Sequence, residues 1–296
     1  MFQPCLFVRT ELPEMTLQQI NCTNDPNYIS DIIPVMDIEF DGYHVHANGL
    51  NIPAIGINLG HRPDRWRALS QRMSGIGFDR LLRAPAVEGV RVPDSLIEAI
   101  TGRPVEGIDE APEDHLRLTR PAIGCFLSHL SVWRWMLDKN IESAIIFEDD
   151  ATPAAHFDAR RFRETVEMVR PDTGLIFLGR LIMDGLAEMP AQPGLARLYY
   201  FNGTFAYLIT ASACRYLLQH LLPMQAHIDH QISRLLVDQR HSFSAWHAEP
   251  SFFDPDWSLG SDCHVPMADE PAADCKLQAY FVATRRKLLS EGRAVR

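Results

Sequence analysis

Glu148, Asp149 and Asp150 stand side by side directly after the apolar run Ala144-Ile145-Ile146-Phe147. Carboxylates that close repel one another unless something neutralises them. A divalent cation does so: magnesium or manganese prefers carboxylate oxygen, keeps several waters, and is held by one or two carboxylates together with substrate phosphates. The apolar run reads as a buried strand, and the ends of strands are where open α/β sheets place their ligands. The competing reading is a solvated acidic turn that caps the following segment, and the motif alone leaves both open. Upstream, Ser128 and His129 are neighbours in a segment of helical periodicity. They therefore point in different directions, which excludes a simple Ser-His pair. His129 reads either as a buried histidine bonded to a carbonyl or as a group that approaches a ligand.

The elements that must carry these residues follow from the apolar pattern. Residues 54–59 predict a short buried strand, 63–74 a helix and 81–87 the next strand, which is how a βαβ unit of an α/β sheet begins. Phe126, Leu127, Leu130, Trp133, Arg134 and Leu137 fall at helical spacing and predict a helix over 124–139 with one apolar face. After the strand at 144–147, the pattern predicts a helix at 160–169 and a strand at 175–179. A strand over 199–210 with Asn202-Gly203 as a turn comes next, then helices over 211–222 and 229–237. Residues 102–121 are acidic and carry Pro104 and Pro112 with no apolar period, the signature of a lid or a disordered segment. A second acidic loop spans 249–275 and a last helix 276–289. Residues 1–50 differ from the rest, with turn signals and a small hairpin near Ile38 to Val45. The expected organisation is an extension of unassigned role over 1–50, a main domain over 51–265 and a helical tail over 266–296.

Composition narrows the function classes. The chain has 28 Lys and Arg against 38 Asp and Glu, a net charge of -10 that would repel a phosphate backbone, so nucleic acid is not the expected partner. A content of 46% hydrophobic and 22% charged residues is that of a soluble globular protein. Cys5, Cys22, Cys125, Cys214, Cys263 and Cys275 form no C-x-x-C pair and read as isolated thiols of a reducing compartment. The start, MFQPCLFVRTELPEM, lacks a basic segment followed by an apolar stretch of about 7–15 residues, so a cytoplasmic location is expected. Apolar runs fall far short of a membrane span. Arg285, Arg286 and Lys287 beside Leu277, Phe281 and Leu288 are compatible with peripheral contact at an anionic membrane, the solvated face being the plainer reading.

Five segments, taken in order, resemble one family. Gly124-Cys-Phe-Leu-Ser-His-Leu-Ser-Val-Trp followed by Ile145-Ile-Phe-Glu-Asp-Asp closely resembles glycosyltransferase family 25, the group of lipooligosaccharide and collagen galactosyltransferases. Ile57-Asn-Leu with Arg62-Pro-Asp-Arg65 is similar to its opening strand, Ala84-Pro-Ala-Val-Glu-Gly to its second, and Gly203-Thr-Phe-Ala-Tyr-Leu-Ile to a later one. The resemblance spans about residues 54 to 262. It implies an α/β, GT-A-like nucleotide-sugar-binding fold with a mixed central sheet flanked by helices. The implied activity is transfer of a sugar, galactose foremost, from a UDP-sugar to a glycan acceptor with inversion.

The resemblance also distributes roles. Glu148, Asp149 and Asp150 correspond to the family's site for Mn2+ or Mg2+ and the diphosphate, with the first and third acids expected to matter most. Asn58, Arg62, Arg65 and Ser128 are implied on the donor side, where the planar fork of Arg65 suits phosphate. A surface arginine paired with Asp64 or Glu88 is the alternative for Arg65. Asp229 resembles a position near the acceptor and is the first candidate for the base that deprotonates the attacking hydroxyl. It also reads as a helix N-cap, and Asp254, Asp256 and Asp262 compete for the base role. His264 reads as a third ligand or a solvated loop residue, and Trp257 as a ring that could stack on an acceptor sugar. Two other classes fit the same residues: a metal-dependent phosphohydrolase, and a binding protein that keeps the fold without turnover.

Overall fold

The computed structural model describes residues 32–38, 46–47, 50–78, 80–106, 108, 118–170, 174–181, 194–237 and 244–260, together with Arg286 and Ser290. Strand β1 (His46–Ala47) pairs antiparallel with β2 (Leu50–Asn51), while the hairpin expected at Ile38 to Val45 lies, from residue 39 onward, outside the described residues. The main sheet starts at β3 (Ala54–Asn58), a fully buried strand that leads through helix α1 (Pro63–Gly75) to β4 (Leu82–Pro85). A single 3-10 turn (Gly89–Arg91) and helix α2 (Asp94–Thr101) follow. Then come α3 (Arg120–Asp138), β5 (Ser143–Glu148), β6 (Ala151–Pro153) and α4 (Ala159–Glu167). The remainder comprises β7 (Leu175–Leu181), β8 (Leu195–Leu198), β9 (Asn202–Thr210), α5 (Ala211–His220) and α6 (Ile228–Val237). Strands β10 (Ala245–Ala248) and β11 (Phe253–Pro255) and a 3-10 turn (Trp257–Leu259) end the described chain.

Seven strands form one mixed sheet in the order β4-β3-β5-β9-β7-β10-β8. Strand β3 is parallel to both β4 and β5, whereas β9 runs antiparallel between β5 and β7. This is the α/β class with a mixed central sheet flanked by helices that the resemblance implied. Because the chain leaves β3 for β4 on one side and arrives at β5 on the other, a crevice opens between the carboxyl ends of β3 and β5. Crevices of that kind are where α/β sheets bind ligands. Asn58 ends one of these strands and Glu148 the other.

Helix α3 is the element the fold surrounds most closely, with Phe126, Leu127, Leu130, Trp133 and Met136 all buried. It begins four residues before the expected helix. Thr119 caps it by accepting from the Ala122 N–H, and Pro121 sits in the first turn, where its missing N–H costs no helical bond. Part of the expected lid is thus helix, and residues 109–117 of it lie outside the described residues. Helix α2 escapes the periodicity reading because it has only 8 residues; it stops at Gly102, which is left-handed at φ 66°. Asn202-Gly203 is the start of β9 rather than a turn within a strand. Ile32, Ile33, Met36 and Ile38 are buried in the same core as the sheet. The acidic loop expected from residue 249 holds β11, which pairs antiparallel with β6 right after the acidic run. Of the expected tail helix, Arg286 and Ser290 are described, both helical and exposed. No helix among the described residues is long and apolar enough to cross a membrane.

The turn at Gly89–Arg91 lies directly on α3. A Cβ on Gly124 would stand 2.6 Å from both the Gly89 nitrogen and the Val87 carbonyl oxygen, backbone atoms that cannot step aside. Gly124→Ala should therefore destabilise by about 1–3 kcal/mol through overpacking, in spite of alanine's helix preference of about 1 kcal/mol. At Gly75, the last residue of α1, a Cβ meets nothing within 4 Å, so Gly75→Ala should be neutral or stabilising. Urea denaturation of the two variants checks the contrast in sign.

Candidate active site

A cavity of about 310 Å³ occupies the crevice. One wall is the end of β3, a second the segment at 86–90 after β4, a third the face of α3 with Pro121, Cys125, Ser128 and His129. The floor is Glu148, Asp149 and Asp150. The 86–90 segment is fastened by Ser128, whose hydroxyl accepts from the Val87 N–H at 2.8 Å and donates to the Gly124 carbonyl at 2.7 Å. Ile57, Ala86, Val87 and Val90 add apolar side chains to the lining.

The three adjacent acids have three different environments. Asp149 is the neutralised one. Its Oδ1 lies 2.6 Å from Nε of Arg65 and its Oδ2 accepts from the Asn58 amide at 2.7 Å. Asn58 also donates to the Arg62 carbonyl and accepts from Arg83, which fixes the orientation of its amide. Arg65, only 4% exposed, is no surface arginine; its partners are Asp149 and, at 3.7 Å, Asp150, rather than Asp64 or Glu88. It rises into the acids from the first turn of α1.

Glu148 is the oriented one. Its Oε1 accepts from the Thr204 hydroxyl at 2.5 Å and lies 3.2 Å from Nε2 of His129. Burial pushes its pKa up, but the His129 and Thr204 bonds prevail and hold it below the usual carboxylate value. His129 is buried, but the partner of its Nδ1 is the Tyr207 hydroxyl at 2.8 Å rather than a carbonyl, and it lines the cavity. Asp150 is the under-compensated one. Burial, with the charges of Glu148 and Asp149, outweighs Arg65 and raises its pKa from 3.8 to about 7, while its Oδ1 is buried with no hydrogen-bond partner among the described residues. An unsatisfied carboxylate oxygen beside an oriented one is a donor set that fits a hard divalent cation.

The other expected residues divide. Arg62 is not in the cavity lining, and it pairs with Asp64 at 3.2 Å. Asp229 does not line the cavity. It lies in the first turn of α6 rather than before it, with Oδ2 accepting from the Gly203 N–H and Oδ1 from the His230 N–H, each at 2.8 Å. Burial works against its ionisation, but the charges of His230 and His227 and these backbone bonds hold its pKa low. Its charge is felt at Glu148, and Gly203, which it holds, is followed on β9 by Thr204, the residue that donates to Glu148. Asp254 is exposed in β11, and Asp256 caps the last 3-10 turn, pairs with Arg72 and donates its N–H to the Asp150 carbonyl. Trp257, 71% exposed, follows it. Asp262 and His264 lie outside the described residues. Thr204, Tyr207, Arg83 and Cys125 contribute to the site or its bonds without having been given a role from the sequence, although three of them stand within the motifs quoted. Only Cys125 had a legible signal, since Cys125, His129 and Trp133 recur at i, i+4 on one stripe of α3.

Comparison with known proteins bears on the same region. A family model described as "Glycosyltransferase family 25 (LPS biosynthesis protein)" matches residues 57–168, which run from β3 through the acids to α4. Residues 57–168 are thus similar to glycosyltransferase family 25. Procollagen galactosyltransferase 1-B of Xenopus laevis is 30% identical over 167 residues, 55% of this chain and 27% of that protein. Inactive glycosyltransferase 25 family member 3 of Homo sapiens is 30% identical over 171 residues, 55% of this chain and 28% of that protein. The family 25 match thus spans little more than a quarter of the length of these relatives. A solved structure of mannose-1-phosphate geranyltransferase from Thermus thermophilus is similar over 47% of this chain and 56% of that one, at 11% identity and TM-score 0.29.

The protonation of Asp150 has a consequence for the metal-free protein. A carboxyl whose folded pKa is raised contributes most to stability below its unfolded value of 3.8 and progressively less as pH climbs toward 7. Asp150→Asn removes that charge at nearly constant volume. In chelated protein it should melt about 3–8 °C above wild type at pH 8, and the gap should shrink toward pH 5. Calorimetric scans at both pH values check this.

Proposed function

We propose that the protein transfers galactose from a UDP-sugar to a glycan acceptor, with inversion at the anomeric carbon. The observation that carries this reading is the convergence of Glu148 and Asp150 on a 310 Å³ cavity in the crevice of a family 25 segment. Residues 51–265 would form the catalytic unit, with residues 32–38 seated in its core. The apolar pocket between the 86–90 segment and α3 suits a planar base, held in place because Ser128 fixes Val87. The diphosphate would then lie over the acids, where Mn2+ or Mg2+ held by Glu148 and Asp150 would neutralise the charge growing on the UDP leaving group. Arg65 and Asn58 serve that site indirectly, by keeping Asp149 paired and out of the way.

The acceptor would approach from the side of Gly203, Thr204 and Asp229. Asp229, ionised and tethered by two backbone N–H groups, would take the hydroxyl proton as the acceptor oxygen attacks and the bond to the diphosphate breaks. A second reading, a binding protein without turnover, draws support from the relative named inactive and from those same backbone bonds, which lower the basicity of Asp229.

Two measurements test the proposal. Among a panel of UDP-sugars with manganese, UDP-galactose should raise the melting temperature and release UDP when an acceptor is present. Binding without product across a broad acceptor array would favour the second reading, and no binding of any nucleotide sugar would end both. Asp229→Asn should cut turnover by about 10² to 10⁴ with donor affinity near wild type. Equal turnover in a folded variant would remove Asp229 as the base.

A further inference from the structure

His129 is fully buried, with its ring against those of Trp133 and Tyr207. Its two nitrogens sit in a chain that runs from the core to the cavity. Trp133 Nε1, which can only donate, reaches the Tyr207 hydroxyl at 2.9 Å. The phenol oxygen accepts there, so its single hydrogen is left for Nδ1 of His129 at 2.8 Å. Nδ1 is then the bare nitrogen and Nε2 carries the proton, aimed at Oε1 of Glu148. The opposite tautomer would strand the hydroxyl hydrogen of Tyr207 in a buried site, a loss comparable to an unmade hydrogen bond. Thr204 donates to the same Oε1. Both donors thus fall on one oxygen of Glu148, and Oε2 has no hydrogen-bond partner among the described residues in a side chain 26% exposed to the cavity.

We propose that His129 is a positioning residue, locked by Tyr207 and Trp133 as the Nε2–H tautomer, that with Thr204 clamps Oε1 of Glu148 and so presents Oε2 alone to a hard divalent cation. The inference deepens the proposed function and rests on it for the identity of the ligand. It also decides against an alternative that proximity invites. Cys125, His129 and Glu148 bring potential ligand atoms within 4.8 Å of one another, a set suited to zinc. Zinc there needs the Nε2 lone pair, which the Tyr207 lock keeps protonated. Ligand-orienting partners of this kind carry about 10- to 100-fold in metal affinity.

The test begins with the full chain, metal-free and labelled with ¹⁵N-histidine. Nitrogen-proton correlation spectra should show His129 protonated on Nε2 alone, and Tyr207→Phe should release a mixture of tautomers. Manganese affinity, read by electron paramagnetic resonance, should fall about 10- to 100-fold in His129→Ala, with partial rescue in His129→Gln, whose amide can still donate to Glu148. Cobalt should bind without a thiolate charge-transfer band. Protonation on Nδ1 in the wild type, or a cobalt-thiolate band abolished by Cys125→Ser, would overturn the proposal. Should the wild type bind no manganese, the functional reading falls on its own, while the tautomer still decides the role of His129 as clamp.

Discussion

Repulsion among three consecutive carboxylates at the end of a buried strand is the constraint around which this site is built. Left alone, Glu148, Asp149 and Asp150 would push the strand end into solvent or take up protons. The fold meets the problem three times with different chemistry. A buried guanidinium and an amide absorb the charge of Asp149, and an imidazole with a hydroxyl orients that of Glu148. Asp150 remains under-compensated, as its pKa near 7 records. A buried charge left in that state is costly, and sites of function are where such costs persist. The acidic run therefore has one member paired with a guanidinium, one oriented by an imidazole and a hydroxyl, and one left under-compensated.

Each solution comes from a different element, which explains why the sheet order matters. Arg65 reaches Asp149 because α1 starts right at the end of β3, and β3 lies parallel to β5 with Ile57 opposite Glu148. Thr204 reaches Glu148 because β9 pairs with β5 on its other side. His129 comes from above, on a helix seated by the close approach of Gly124 to the turn at Gly89. Arg72 and Asp256 tie α1 to the segment after β11, and the Asp256 N–H holds the Asp150 carbonyl at 2.8 Å. Displacing any one of these elements would return charge to the run.

Much of this was legible in the residues, for reasons that can be named. The buried run before Glu148 and the alternation of strand and helix from Ala54 onward signalled the α/β class, because a parallel strand covered on both faces must be apolar throughout. That the charge of the acids needs compensating followed from their adjacency. Partners distant in sequence were the hidden part. Asp64 and Glu88 are the neighbours a reader would give Arg65, and only the pairing of β3 with β5 reveals Asp149 instead. Thr204 and Tyr207 look like ordinary strand residues until β9 is set beside β5. The start of α3 was hidden because Pro121 reads as a breaker, although the first helical turn needs no N–H from it.

The division of labour within the acidic run can be seen directly. Crystals soaked with manganese and UDP, with anomalous differences collected at the manganese edge, would locate the ion among the three carboxylates. The account predicts one peak bonded to Glu148 Oε2 and Asp150 Oδ1, with Asp149 still paired to Arg65 and the base in the pocket between residues 86–90 and α3. A peak on Asp149 with Arg65 displaced, or one held by Cys125 and His129, would contradict it.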